Sequence, residues 1–93
     1  MKMIGHVVDG NVVRLRFGPS GQGYALIDLE DAAEVLKFKW RLSSHQASLR
    51  VVQSQPPHTG LAQFIMQLSG KSYGTRVRFR NSNSVDCRKE NLI

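Results

Sequence analysis

Along the first seventeen residues polar and apolar positions alternate. Val13, Leu15 and Phe17 are separated by Arg14 and Arg16, so a strand here buries one face and wets the other. Before it stand Val7 and Val8, then Asp9-Gly10-Asn11, a turn that needs positive φ and has Gly and Asn to supply it. The pattern predicts an N-terminal β-hairpin over residues 1–17. Gly18-Pro19-Ser20-Gly21-Gln22-Gly23 is a turn-rich connector. It lacks the Lys-Ser/Thr and the helix that a phosphate loop requires. Tyr24 to Ile27 reads as a short strand. From Asp28 the period lengthens: Leu29, Ala32, Ala33 and Leu36 fall at i, i+3, i+4 and i+7, predicting a helix capped by Asp28. Glu30, Asp31 and Glu34 lie towards its N-terminal end and Lys37 near its exit, as the macrodipole favours. That gives the acids a structural role in preference to paired-carboxylate catalysis.

Two further strands are expected, Phe38 to Leu42 and Ala47 to Gln53, joined by Ser43-Ser44-His45-Gln46. Pro56 and Pro57 make the next stretch a loop. A second helix from about Thr59 to Ser69 would bury Leu61, Phe64, Ile65 and Leu68, with Gly70 placed to end it. Strict alternation returns from Thr75 to Arg80, with Val77 and Phe79 on one face and Arg76, Arg78 and Arg80 on the other. Asp86 to Leu92 reads as a last helical turn or two, capped by Ser84 or Asp86. The fold class is therefore α+β: small antiparallel sheets with two or three short helices.

Ninety-three residues hold one core, so the chain is expected to be a single domain over 1–93. No apolar run is long enough to cross a membrane, and no signal peptide is evident at the start. A lone cysteine, Cys87, makes neither an internal disulfide nor a metal centre. The expectation is a cytoplasmic protein without metal or cofactor and without a membrane partner.

Charge changes this picture. The formal net charge is +6 and it is unevenly spread. Residues 1–34 carry three bases and five acids, net −2; residues 35–93 carry ten bases and two acids, net +8. No acid occurs between Val35 and Val85, where eight Lys or Arg stand. A one-signed field of this kind raises the local concentration of a polyanion and releases its counterions on contact.

The histidines offer little chemistry. His6, His45 and His58 share no metal-ligand spacing and have no local Asp, Glu or Cys partner. No Gly-x-Ser-x-Gly elbow is present. Cys87 precedes Arg88 and Lys89, which would lower its thiol pKa if they approached it; the plainer reading is a small half-buried residue. The strongest candidate is the stripe Arg76-x-Arg78-x-Arg80, three guanidinium groups able to grip phosphates in a bidentate way. Lys37-x-Lys39-x-Arg41 repeats the alternation beside Trp40, which is assigned to the core.

The stretch Val77-Arg78-Phe79-Arg80-Asn81-Ser82-Asn83-Ser84-Val85-Asp86-Cys87-Arg88-Lys89-Glu90-Asn91-Leu92 resembles the motif of the HNH homing-endonuclease-like family. That motif commonly reads V-D-H-I-N-G-N-G-L-D-N-R-x-x-N-L, and Val77, Asn81, Asn83, Asp86, Arg88, Asn91 and Leu92 match it without a gap. Ala62-Gln63-Phe64-Ile65-Met66 followed by Gly70-Lys71 is similar to the family's H-R-L-I-M and Gly-Lys. Ala25-Leu26-Ile27-Asp28 and Lys37-Phe38-Lys39-Trp40 are similar to a segment further upstream, so the resemblance spans residues 24–93. It implies a ββα remnant at the C-terminus. The family's Asp-His pair, which supplies a metal ligand and the general base, is replaced by Arg78 and Phe79. The histidine of H-R-L-I-M is Ala62, and the Asn after Leu-Asp is Cys87.

The resemblance thus implies an inactive HNH-like domain, not an enzyme, that binds duplex DNA by its backbone. The expected contacts are Arg76, Arg78, Arg80, Lys71, Arg88 and Lys89, with Arg41 and Arg50 as outer ones. The alternative is an interaction module or inhibitor, derived from a mobile element, that meets an acidic protein. In either case the hairpin 1–17 offers an edge for a homodimer.

Overall fold

The N-terminal alternation folds as it predicts. In the computed structural model, which describes residues 1–19, 23–45, 48–56, 58–70 and 77–93, β1 (Met3–Asp9) pairs antiparallel with β2 (Val12–Phe17). Gly10 takes φ 61° in the turn between them, and Asn11 does not share the left-handed conformation. β3 (Gly23–Asp28) continues the sheet in the order β1-β2-β3, Val13 opposite Ile27 and Leu15 opposite Ala25. Val13, Leu15, Phe17, Ala25 and Ile27 are fully buried. Arg14 and Arg16 occupy the opposite face. A register irregularity lies between Met3 and Gly5, so Ile4 is an extra residue against β2.

The first helix, α1 (Leu29–Val35), buries a different stripe from the one its periodicity predicts. Ala32 and Val35 are buried together with the charged Asp31, while Leu29 and Ala33 face solvent. Two tertiary contacts turn the helix. Trp40 Nε1 donates to the Val35 carbonyl at 2.8 Å, and the Lys89 amine meets the Asp31 carboxylate at 3.3 Å. Asp28 holds the N-cap position, but its side chain makes no cap bond. Its Oδ2 accepts the Lys89 backbone N–H at 2.8 Å instead.

A second sheet follows, β4 (Trp40–His45) against β5 (Ser48–Gln53). β4 starts later and runs further than expected. Phe38 stays outside it, and Ser43, Ser44 and His45 pair with Arg50, Leu49 and Ser48. Three residues of the expected connector thus belong to β4; Gln46 and Ala47 lie outside the described residues. Trp40, Leu42 and Val51 enter the core, as assigned for Trp40. Phe38 remains 43% exposed and meets Phe64 edge-on at 5.4 Å, and Trp40 meets Phe64 at the same distance. Gly23 lets the two sheets approach: a Cβ there would lie 2.7 Å from Leu42 Cδ2.

α2 (Leu61–Leu68) is shorter than the expected 59–69, and Thr59 and Gly60 run beside β5 instead. Leu61 and Ile65 are buried, Phe64 half-buried and Leu68 exposed. Gly70, at φ 77°, follows its end as expected. Burial of Ile65 or Leu61 contributes about 1.5–3 kcal/mol each.

The ββα element that the resemblance implies is not formed among the described residues of the tail, which makes isolated bridges and one 3-10 turn. Lys71, Thr75 and Arg76 lie outside the described residues. From Val77 to Arg80 the expected strand is one antiparallel bridge, Phe79 with Leu92, flanked by bonds between Arg78 and Ile93 and from the Arg80 N–H to the Asn91 carbonyl. Its alternation holds: Val77 and Phe79 are half-buried, Arg78 and Arg80 exposed. Val85 to Cys87 lies parallel to β3, the Leu26 N–H donating to Val85 and the Cys87 N–H to Leu26, both at 2.8 Å. The expected helical turn over 86–92 is a 3-10 turn, Lys89–Asn91, entered from Arg88 with no side-chain cap. Ser84 and Asp86 do not cap it because both are bonded elsewhere, Ser84 to the Leu49 carbonyl and Asp86 to Arg88 and Asn81. No helix among the described residues is long and apolar enough to cross a membrane.

Candidate nucleic-acid interface

Four residues of the Asn81–Asn91 segment, which contains no strand or α-helix, are fixed by one polar network. Asp86 is 2% exposed. Its carboxylate accepts Arg88 Nε and Nη2, each at 2.7 Å, and Asn81 Nδ2 at 3.0 Å. Asn91, also buried, donates its amide to the Asp86 carbonyl at 2.8 Å and accepts the Asn81 N–H at 3.0 Å. Asn81 Oδ1 accepts the Asn83 N–H at 2.9 Å, closing an Asx turn, with Ser82 at φ 61° within it. The Arg88 bonds hold the Asp86 carboxyl below the usual carboxylate range, and Asp86 in return raises Arg88. Asn81, Asp86, Arg88 and Asn91 thus serve the architecture, shaping the loop that carries Arg78 and Arg80.

The predicted contacts divide accordingly. Arg78, Arg80, Arg41 and Arg50 are exposed and have no acidic partner among the described residues. Arg88 and Lys89 are half-buried and engaged: Arg88 with Asp86 and Glu90, Lys89 with Glu30 and Asp31. Their charge is largely neutralised within the fold. Arg76 and Lys71 lie outside the described residues.

The partner of a second cluster, the acids at the start of α1, gave no local sequence signal. The carboxylates of Asp28, Glu30 and Asp31 converge within 4.8 Å, and the Lys89 amine sits against two of them across 58 residues of chain. Burial raises the Asp31 pKa more than Lys89 lowers it, and Asp31 Oδ2 has no hydrogen-bond partner. The bond to Glu30 raises Lys89. The acids of α1 therefore do more than complement its dipole: they anchor the C-terminal tail.

A groove of about 510 Å³ opens between β5, α2 and the 77–87 segment. Ala62, Phe79 and Cys87 line it, along with Arg50, Gln63 and Ser84. Cys87 is fully buried and its thiol is pushed up to about 12 by desolvation, with the Asp86 charge adding. The adjacent cations do not activate it. The lining includes no carboxylate and no imidazole among the described residues. His6 and His58 lie elsewhere and are exposed, His58 Nδ1 being 3.0 Å from the Gln53 carbonyl oxygen. Compared with known proteins, the chain matches no family model, no curated protein and no solved structure.

Proposed function

We propose that this chain is a non-catalytic nucleic-acid-binding domain, HNH-like in the sequence of its C-terminal segment, holding duplex DNA by its phosphates. The observation that carries this reading is the 77–80 segment. Its apolar residues Val77 and Phe79 turn inward while Arg78 and Arg80 project outward with no acid against them among the described residues. Backbone bonds to residues 91–93 and the Asp86 network hold that presentation still. The backbone under both arginines is thus ordered in advance, and a planar guanidinium loses less freedom per bond to a phosphate than an ammonium does. The groove supports the loss of catalysis. The positions that would hold a metal ligand and a base in an HNH site converge there as Ala62, Phe79 and Cys87. A methyl group, a phenyl ring and a protonated thiol neither ligate a divalent cation nor activate water.

The test is fluorescence anisotropy of a labelled random-sequence duplex, titrated at several salt concentrations with and without magnesium. Micromolar or tighter binding, a steep salt dependence and an intact duplex are expected. Combining Arg78→Ala with Arg80→Ala should lower the slope of log affinity against log salt by about 2. Absence of binding at low ionic strength overturns the reading. A second reading draws on Ile4, Val7 and Val8, which are exposed on edge strand β1: an interaction module whose hairpin pairs with another copy. Sedimentation at increasing protein concentration tests the dimer.

A further inference from the structure

The N-terminal third carries an excess of acid, and none of its residues enters the interface proposed above. The strand layer nonetheless arranges its bases. In β2, Arg14 and Arg16 point away from the face on which Val13, Leu15 and Phe17 are buried. Arg16 lies opposite Tyr24, which is 42% exposed on that same outer face. The chain before β1 crosses from one sheet to the other. The Lys2 carbonyl accepts the Gly18 N–H at 2.9 Å, and Lys2 forms an antiparallel bridge with Arg41 of β4. Residues directly opposed in such a bridge share a face. Since Trp40 and Leu42 turn into the core, Arg41 and with it Lys2 turn outward. The bridge therefore joins two sheets into one row of cations: Arg14 and Arg16 from β2, Lys2 beside β1 and Arg41 from β4.

None of these four has an acidic partner among the described residues. The acids of this sheet, Asp9 and Asp28, stand opposite Val12 at the end away from Lys2 and Arg41, and Asp28 is bonded to the Lys89 N–H. Like charges held side by side repel, and only a polyanion spanning them relieves the whole row at once. With strands about 4.8 Å apart, the cations from β2 to β4 span roughly 10 Å and Tyr24 of β3 widens the face to roughly 14 Å, which suits an extended backbone and not a single small anion. Arg, Lys and Tyr are the side chains that bond phosphate oxygens without reading sequence.

We propose that this outer strand face, centred on Lys2, Arg14 and Arg16 with Tyr24 beside them, is a second phosphate-contact surface for the same nucleic acid. The proposal rests on the nucleic-acid reading above and extends it to the opposite end of the chain. A duplex would then be held by residues from both the first and the last strand segments. Arg41, assigned from sequence to the C-terminal basic half, belongs by this geometry with Lys2.

The experiment compares salt slopes in the anisotropy assay for the native chain, for K2Q/R14Q/R16Q and for R78A/R80A. The fold of each variant is checked by thermal melting, and Lys37→Gln, whose amine is paired with Glu34, serves as the neutral control. K2Q/R14Q/R16Q is expected to lower the slope by about 3 and to weaken low-salt binding at least tenfold, as expected for three lost phosphate contacts. A folded triple variant with the native slope overturns the strand-face proposal and leaves the Arg78/Arg80 stripe standing. The converse pattern, slope lost in the triple variant but not in R78A/R80A, supports the strand face and removes the stripe. If polyglutamate displaces the duplex at equal charge concentration, the face is not specific for phosphate and the proposal falls.

Discussion

Replacing Asp86 by alanine removes the centre of the polar network that orients the C-terminal loop. The carboxylate is 2% exposed and receives two charge-assisted bonds from Arg88 and one from Asn81. Cutting a buried ion pair on one side costs about 3–5 kcal/mol when the remaining charge has nowhere to go. Arg88 has an outlet: its side chain is 28% exposed, and Nη1 keeps Glu90 at 2.9 Å. Asn81 is exposed, so water replaces the carboxylate at its Nδ2. With both partners able to reach water, the net expectation is a loss of about 2 kcal/mol, which in a domain of this size lowers Tm by roughly 8–16 °C. Thermal melts followed by circular dichroism and by Trp40 emission would measure it. The pH dependence adds a signature. Because Asp86 titrates lower in the folded chain than in the unfolded one, its contribution is complete above the unfolded value near ~3.9. It is lost as pH falls through the lower folded value. Asp86→Ala should therefore flatten the acid limb of the stability profile as well as lower its plateau. A loss under about 1 kcal/mol with an unchanged acid limb would refute the network's role and leave Arg78 and Arg80 without a rigid mount.

Four other outcomes follow from the packing. Cys87 should resist disulfide reagents at pH 8 in the native state and react stoichiometrically in urea, since its thiol is buried and raised to about 12; prompt native labelling would contradict the burial. Ile65→Ala should cost about 2–5 kcal/mol by denaturant titration, the range for a fully buried aliphatic residue. Gly10→Ala should cost about 1–2 kcal/mol through its left-handed φ, with no packing loss because nothing lies within 4 Å of the added methyl. Asp31 titrates higher in the folded chain, so its charge weakens the fold above that pKa, and stability from this group rises as pH falls through it. Asp31→Asn, which removes that charge at the expense of the Lys89 bond, should reduce this pH dependence in a pH-resolved melt.

The N-terminal hairpin, the α+β class and the burial of Trp40 are legible in the sequence because they rest on local periodicity. A two-residue alternation such as Val13-Arg14-Leu15-Arg16-Phe17 commits a strand to two unlike faces wherever it packs. The exposure of Arg78 and Arg80 follows from the same rule. Short helices carry less information. Seven residues of α1 offer two nearly equivalent apolar stripes, and contacts from Trp40 and Lys89 selected the one that includes Val35 and a buried aspartate. The ion pairs that engage Lys89, the convergence of Ala62, Phe79 and Cys87 on one groove, and the bridge that brings Lys2 beside Arg41 join residues far apart in sequence. No local pattern encodes such meetings, because each depends on how two sheets and two helices stack. The sequence determined which side chains are charged and which strands are two-faced; only the tertiary structure decided which charges are neutralised within the fold and which are left for a partner.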